Sequence, residues 1–368
     1  MENSLDTVTI KGFKSIQSLE DFELKRLNVF IGGNGAGKSN FIAFFRLLRA
    51  IIEDNLNEYI RNGGGISDFL FNGRKGTKQL DFSMNFGSHG YRFTITPGAK
   101  EQCSLTGEYR FYKPGTAGWW PLGESTDGTS MLVKEAKGQS KDSTNSKRVY
   151  DAIMSWQIYH FHDTSSTAGM RHAEIIQDSK KLRPDGANIA PYLLGLQNNN
   201  RSIYNEIIDA IRLVVPFFDD FNLEPEAFGE KTKINLSWKQ KGFDYPMQPY
   251  HFSDGSIRFI CLATALLQPE PPSTIIIDEP ELGLHPAAIS ILAELIQSAA
   301  KHTQLIVATQ SPLLINDFAV EDIIVVNRKN GASTFKRLQE KDFNVWLEDY
   351  SVGELWTKNV LAGGPTNE

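Results

Sequence analysis

The chain has 368 residues, a formal net charge of −6 and two cysteines. Cys103 and Cys261 are too few and too scattered for a disulfide framework or a cysteine zinc site, so a reducing cytoplasm is the expected setting. The acidic balance argues against coating nucleic acid by bulk charge but leaves a local basic groove open; the start MENSLDTVTIKGFKSI has no signal-peptide core, and no apolar run is long enough to cross a membrane.

In chain order, Thr7–Ile10 and Leu27–Ile31 read as short strands rich in β-branched and aromatic residues. Gly32–Gly37 follows, and then a helix whose apolar positions (Phe41, Ile42, Phe44, Phe45, Leu47, Leu48, Ile51, Ile52) cover most of its circumference, which predicts burial between a sheet and another layer. Alternation from Leu80 to Tyr112 predicts an antiparallel meander. Residues 113–149, rich in Gly, Ser, Thr and Lys, predict a mobile surface insertion. Its Lys134, Lys137, Lys141, Lys147 and Arg148 fit a solvated loop better than a nucleic-acid contact, and Trp119-Trp120 fit local packing better than base stacking.

Trp156–Phe161 reads as a returning strand, and residues 170–225 as helices broken by Pro184, Gly186 and Asn198–Asn200. The last third predicts a helix over Ser256–Leu267, a buried strand Thr274–Ile277, a helix opened by Pro286, a second buried strand Gln304–Ala308, and a hairpin from Ile323–Asn327 through Asn330-Gly331 to Thr334–Leu338. Strands alternating with helices imply a mainly parallel sheet, with the meander as an antiparallel layer.

Gly32-Gly33-Asn34-Gly35-Ala36-Gly37-Lys38-Ser39 matches G-x-x-x-x-G-K-[ST] between a strand and a helix. Glycines let backbone N–H groups turn inward around phosphate oxygens at a helix N-terminus, where the partial charge favours anions. Lys38 is expected on the β and γ phosphates of ATP, and Ser39 on Mg²⁺. A glycine turn that merely caps a core helix is the competing reading; the complete motif in its strand–helix setting favours phosphate. Ile275–Glu279 is an apolar strand ending in two acids at the end of a parallel sheet that faces ligands. Asp278 suits Mg²⁺ held through water, and Glu279 suits orienting or deprotonating a water. His160, His162 and Asp163 lack further ligands at metal spacing, and His285 reads as structural.

This order of motifs, with Ser253-Asp254-Gly255 before the acidic strand and Gly283-Leu284-His285-Pro286 after it, resembles the ABC ATPases, and within them the SMC/RecF branch. The resemblance implies an α/β P-loop NTPase fold: an ABC-type ATPase head with a mixed, mainly parallel sheet, an antiparallel β layer and an inserted helical lobe. The head would comprise residues 1–163 and 251–368, with the lobe at 164–250. It implies that Ser253 and Gly255 form a signature loop over the nucleotide of a second copy, that 282–286 is a D-loop at the dimer interface, and that Lys14, Ser15 and Asn40 join the nucleotide contacts. ATP-driven dimerisation, ATP hydrolysis, nucleic acid, and a separate nuclease-like effector are the implied activity and partners. The closing run Tyr350–Gly364 is similar to stand-alone bacterial AAA/ABC ATPases of OLD-type and phage-defence modules.

Three departures stand out. The signature helix begins Phe252-Ser253-Asp254-Gly255-Ser256, which fits the nucleic-acid-linked branch better than transporters. The switch histidine is replaced by Gln310, which hydrogen-bonds but does not titrate, so slow hydrolysis is expected. The Q-loop glutamine has no match; by topology His162-Asp163 takes its place, with Asp163 as a further Mg²⁺ ligand.

Overall fold

The computed structural model describes residues 4–98, 102–113, 118–138, 143–229, 231–343, 346 and 348–361. Strands β1 (Thr7–Phe13), β2 (Ile16–Glu23) and β3 (Leu27–Ile31) lead into helix α1 (Lys38–Ile52), followed by the short helices α2 (Leu56–Asn62) and α3 (Gly73–Gly76). Strands β4 (Leu80–Phe86), β5 (His89–Pro97), β6 (Cys103–Tyr112) and β7 (Gly118–Ser125) join the first two in an antiparallel sheet of order β2-β1-β4-β5-β6-β7. The expected meander is there, extended by β2 and β7.

Helices α4 (Met131–Lys137) and α5 (Ser143–Ser155) come next, and β8 (Gln157–Tyr159) is the returning strand. The described residues of 113–149 are therefore mainly strand and helix, not the loop that their composition suggests. Glu108, buried on β6, accepts hydrogen bonds from Tyr91, from the Ser130 hydroxyl (2.8 Å) and from Met131 N (2.7 Å), which fixes the start of α4. Val149, Ala152 and Ile153 then bury α5. Lys134, Lys137, Lys147 and Arg148 are carried on these helices, and Lys141 lies outside the described residues.

The segment 164–250 corrects a second expectation. Among the described residues there, only α6 (Ile189–Asn199) and α7 (Arg201–Val214) are helices of any length. Around them lie β9 (Glu174–Ile175), β10 (Phe218–Phe221), β11 (Glu226–Phe228), β12 (Lys231–Ile234) and β13 (Trp238–Gln240), paired as β10-β13 and β11-β12-β9. Phe218, with Phe221 against it, packs on Trp238, which stacks on Phe252 with ring centroids 4.6 Å apart. The segment shares one buried cluster with the elements that follow, rather than closing a core of its own.

Those elements are α8 (Asp254–Leu267), β14 (Thr274–Asp278), α9 (Pro286–Ala299), β15 (Gln304–Thr309), α10 (Pro312–Ile315), β16 (Ile323–Lys329) and β17 (Ala332–Arg337). The hairpin β16–β17 turns at Asn330 (φ 52°) and Gly331 (φ 77°), the two positive-φ positions that a two-residue turn of this hand requires. The second sheet has the order β17-β16-β3-β15-β14-β8, parallel except for β17. The tail Tyr350–Gly364 contributes a short helix, Val352–Thr357, capped by Ser351 and Glu354; Ala362–Gly364 lie outside the described residues.

Alternation along the parallel strands separates two cores. Val29, Ile31, Ile275, Ile277, Leu305 and Val307 face α8 and α9, whereas Phe30, Ile276, Ile306 and Ala308 face α1. Helix α1 is thereby held between the two sheets, which is why every one of its eight predicted apolar positions is at most 1% exposed.

Candidate functional site

Parallel strands deliver their C-terminal ends to one edge. Ile31 of β3 pairs with Thr309 of β15, and Ala308 pairs with Asp278 of β14, so the glycine turn, Glu279 and Gln310 start side by side. The turn is shaped by two close approaches. A Cβ on Gly32 would stand 2.2 Å from Val326 O, and one on Gly37 (φ 119°) would stand 2.0 Å from Ser333 Oγ. Gly33, Asn34 and Gly35 form the open lip, and Ala36 is buried.

Beneath the loop, the Ser333 hydroxyl donates to Ala36 O (2.6 Å) and lies 2.6 Å from Ser15 Oγ, which accepts from Asn40 Nδ2 (2.7 Å). Ser15 and Asn40, expected at the nucleotide, are in this structure part of the floor of the phosphate loop. Lys14 sits 4.4 Å from the Phe69 ring centre and, with Ser15, Asn40, Asn72 and Arg328, lines an adjoining cleft of about 400 Å³.

Lys38 opens α1 and is 5% exposed. Its Nζ donates to Gly32 O (2.6 Å) and is 3.8 Å from Glu279 Oε1. Burial lowers its pKa, against the attraction of Glu279, Asp278 and Glu281. Asp278 is pushed the other way: burial, then the neighbouring Glu279, raise its pKa, while His162 and the hydrogen bond from Ser39 oppose the rise. Its Oδ1 is buried without a hydrogen-bond partner.

A buried, unpartnered carboxylate oxygen beside the Ser39 hydroxyl and an ammonium is the donor set that Mg²⁺–nucleotide takes. That ion uses one or two protein oxygens and fills its octahedron with phosphate and water, so residues and ion fit. No group of three or more His, Cys, Asp or Glu forms a self-sufficient metal cage among the described residues. Asp163, expected as a further ligand, is turned elsewhere: its exposed carboxylate accepts from Ser165 N (3.0 Å) and caps its own turn. The adjacent His162 reaches the strand end instead, with Nε2 2.8 Å from Asp278 O.

Glu279 occupies left-handed backbone space (φ 44°), held by its N–H on Ala308 O (2.7 Å). For a residue with a side chain this conformation is strained and persists when surroundings enforce it. Gln310 grips both oxygens of Glu279, Oε1 through its amide (2.8 Å) and Oε2 through its backbone N–H (3.1 Å). Beside them Glu281 accepts from the Thr309 hydroxyl (2.6 Å) and from Gln310 N (3.1 Å); burial and then the neighbouring Glu279 push its pKa up to about 7.

The signature segment is on the other face of the sheet. Ser253 caps α8, accepting from Ser256 N at 3.1 Å, and is exposed. Gly255 is a glycine because the D-loop backbone touches it: a Cβ there would lie 2.3 Å from Gly283 O. Two arginines tie this layer to the segment after β8. Arg171 bonds Thr164 O, Pro249 O, Phe252 O and the Asp254 carboxylate. Arg258 bonds Phe161 O, His162 O and Leu282 O.

Sequence reasoning missed Ser333, Glu281, Arg171 and Arg258. An arginine inside the apolar run Ile257–Leu267 was the one visible signal. Ser333 and Glu281 acquire their roles from neighbours far off in the chain or from a turn that the sequence leaves unspecified.

The fold is that of the ABC-type P-loop ATPase heads found in SMC proteins. An Smc head bound to the C-terminal winged-helix domain of ScpA aligns with 93% of this chain and 99% of its own, with a TM-score of 0.58 and 17% identity. An Smc head with an extended coiled coil, bound to the C-terminal domain of ScpA from Pyrococcus furiosus, aligns with 94% of this chain and 99% of its own, with a TM-score of 0.54 and 16% identity. No curated protein matches the sequence. The chain belongs to the AAA_21 family, described as "AAA domain, putative AbiEii toxin, Type IV TA system", whose model matches residues 27–316. No helix among the described residues is long and apolar enough to cross a membrane.

Proposed function

We propose that this protein binds ATP with Mg²⁺ and hydrolyses it as a head-to-tail dimer in the cytoplasm, in a process coupled to nucleic acid such as DNA repair or anti-phage defence. The observation that carries the reading is a division of labour. Lys38, Ser39, Asp278, Glu279 and Gln310 meet at one sheet edge, while Ser253 stands on α8, packed against the face opposite α1. A second copy, turned about a two-fold axis, supplies the missing lid.

Incoming phosphates replace Gly32 O as the partner of Lys38 Nζ. The loop's N–H groups surround them, and Ser253 of the second copy covers the γ-phosphate. Ser39 and Asp278 would hold Mg²⁺, which would supply neutralisation of phosphate charge. Glu279 takes a proton from the attacking water, and the Gln310 amide moves from the carboxylate to the γ-phosphate. In the full chain, Glu279→Gln is expected to lower turnover by about 10²–10⁴ while keeping ATP binding and accumulating dimer by light scattering. Undiminished turnover in that variant, or a protein that stays monomeric with ATP, overturns the proposal.

A defence setting is supported by the toxin–antitoxin wording of the family description. Nucleic acid is supported by the outer face of the antiparallel sheet, where Arg92 lies 4.1 Å from the Tyr109 ring centre and 4.7 Å from that of Trp119. DNA-stimulated turnover is the test. A second reading, an ATP-gated scaffold with little turnover that restrains a separate nuclease-like effector, is favoured by Gln310, which cannot titrate and holds both oxygens of Glu279. Its mark is a stable ATP-bound complex that releases no phosphate.

A further inference from the structure

Glu281 has no place in the scheme above, yet it is buried as thoroughly as the groups that do. It is 8% exposed, in the turn that follows β14. A carboxylate is costly to bury unless its oxygens are bonded, and a turn of this length asks for no acid there. Its bonds all converge on the neighbours of the attacking water. Oε1 accepts from the Thr309 hydroxyl at 2.6 Å and from Gln310 N at 3.1 Å. The same N–H lies 3.1 Å from Glu279 Oε2, so one amide is shared by two carboxylates. The Glu279 carboxylate stands beside Glu281, whose Oε2 is buried without a hydrogen-bond partner.

Thr309 extends the chain of bonds, its Oγ1 accepting from Ser311 N at 2.9 Å. The backbone from Thr309 to Ser311 is thus fixed from the Glu281 side, while the Gln310 side chain is free to leave Glu279. Removing Glu281 unties that backbone and leaves Glu279, at its strained φ of 44°, with one fewer support.

We propose that Glu281 is a positioning residue for ATP hydrolysis, holding Glu279 and the Gln310 backbone in register without touching the nucleotide. The proposal rests on the reading of Glu279 as the group that activates water. Its test is a split between binding and turnover, which a general loss of stability does not produce. Steady-state hydrolysis and ATP affinity are measured on the full-length chain and on Glu279→Gln, Glu281→Ala and Glu281→Gln.

Glu281→Ala is expected to lower kcat by about tenfold or more with ATP affinity within about threefold of the parent. Glu281→Gln, whose amide oxygen still accepts from Thr309 and Gln310, is expected to restore most of that rate. If Glu281→Ala does not fold, Thr309→Val, which removes the hydroxyl donor, is expected to show the same split in smaller measure. A Glu281→Ala enzyme with unchanged kcat overturns this proposal alone, provided that Glu279→Gln is inactive; equal losses in affinity and kcat also overturn it. Turnover that survives Glu279→Gln, or a parent chain with no turnover, overturns the underlying reading as well.

Discussion

The carbonyl oxygen of Gly283 occupies the space in which a side chain on Gly255 would begin, 2.3 Å from its Cβ position. The turn at Gly283 and the start of α8 therefore touch backbone to backbone. Gly255 is not free to vary while that contact holds, and Gly283 is held to glycine by its φ of 74°.

Gly255→Ala forces the D-loop outward. Overpacking of this kind costs about 1–3 kcal/mol, and in the variant the surface that should meet a second copy is displaced. The expected outcome is a Tm lowered by several degrees and ATP-induced dimer reduced, with ATP affinity of the monomer retained. Thermal melts and light scattering with and without ATP check it. A variant that dimerises like the parent contradicts the assignment of this face to the interface.

Ser333→Ala removes the donor that holds Ala36 O and the partner of Ser15. A net loss of about 1 kcal/mol for a buried hydrogen bond converts to roughly fivefold in affinity. The effect is expected in the ATP dissociation constant, measured by titration calorimetry, with kcat at saturation close to the parent's. A fall in kcat alone would place Ser333 in the chemistry rather than under the loop.

Stability should carry the mark of Glu281. Its folded pKa of about 7 lies above the ordinary carboxylate value, so the folded state binds this proton more tightly than the unfolded chain does. The resulting stabilisation is complete below the unfolded pKa and is lost as pH rises through 7, and Asp278, also raised, acts in the same sense. Urea unfolding of the nucleotide-free protein is expected to show lower stability at pH 8 than at pH 5, by on the order of 1–3 kcal/mol. In Glu281→Gln much of that slope should vanish. A parent chain whose stability rises over this interval would contradict the raised pKa of Glu281.

Much of the fold was legible because its local signals agree. The apolar coverage of α1 required two covering layers, and both sheets are there. Asn330-Gly331 specified its hairpin through backbone conformation alone. The glycine turn and the acids after Ile277 were legible because phosphate chemistry restricts both residue type and position. What escaped was decided by partners distant in sequence. Gly118–Ser125 forms a strand because β6 offers an edge, although Pro121 and two glycines weaken its own pattern. Phe218–Phe221 and Trp238–Gln240 pair as strands, within a segment whose sequence predicts a helical lobe. Asp163 and His162 differ by one position, and only the turn at Ser165 decides which of them reaches Asp278.

Helix α1 is gripped on both sides, so Lys38 has nowhere to travel. Movement that accompanies a change of nucleotide is therefore expected in the opposite layer, which Arg171 and Arg258 tie to the segment after β8. On that expectation one half serves as a stator and the other as a rocker. Substitutions that retune coupling while sparing nucleotide capture should gather in the rocker, on the contacts of those two arginines.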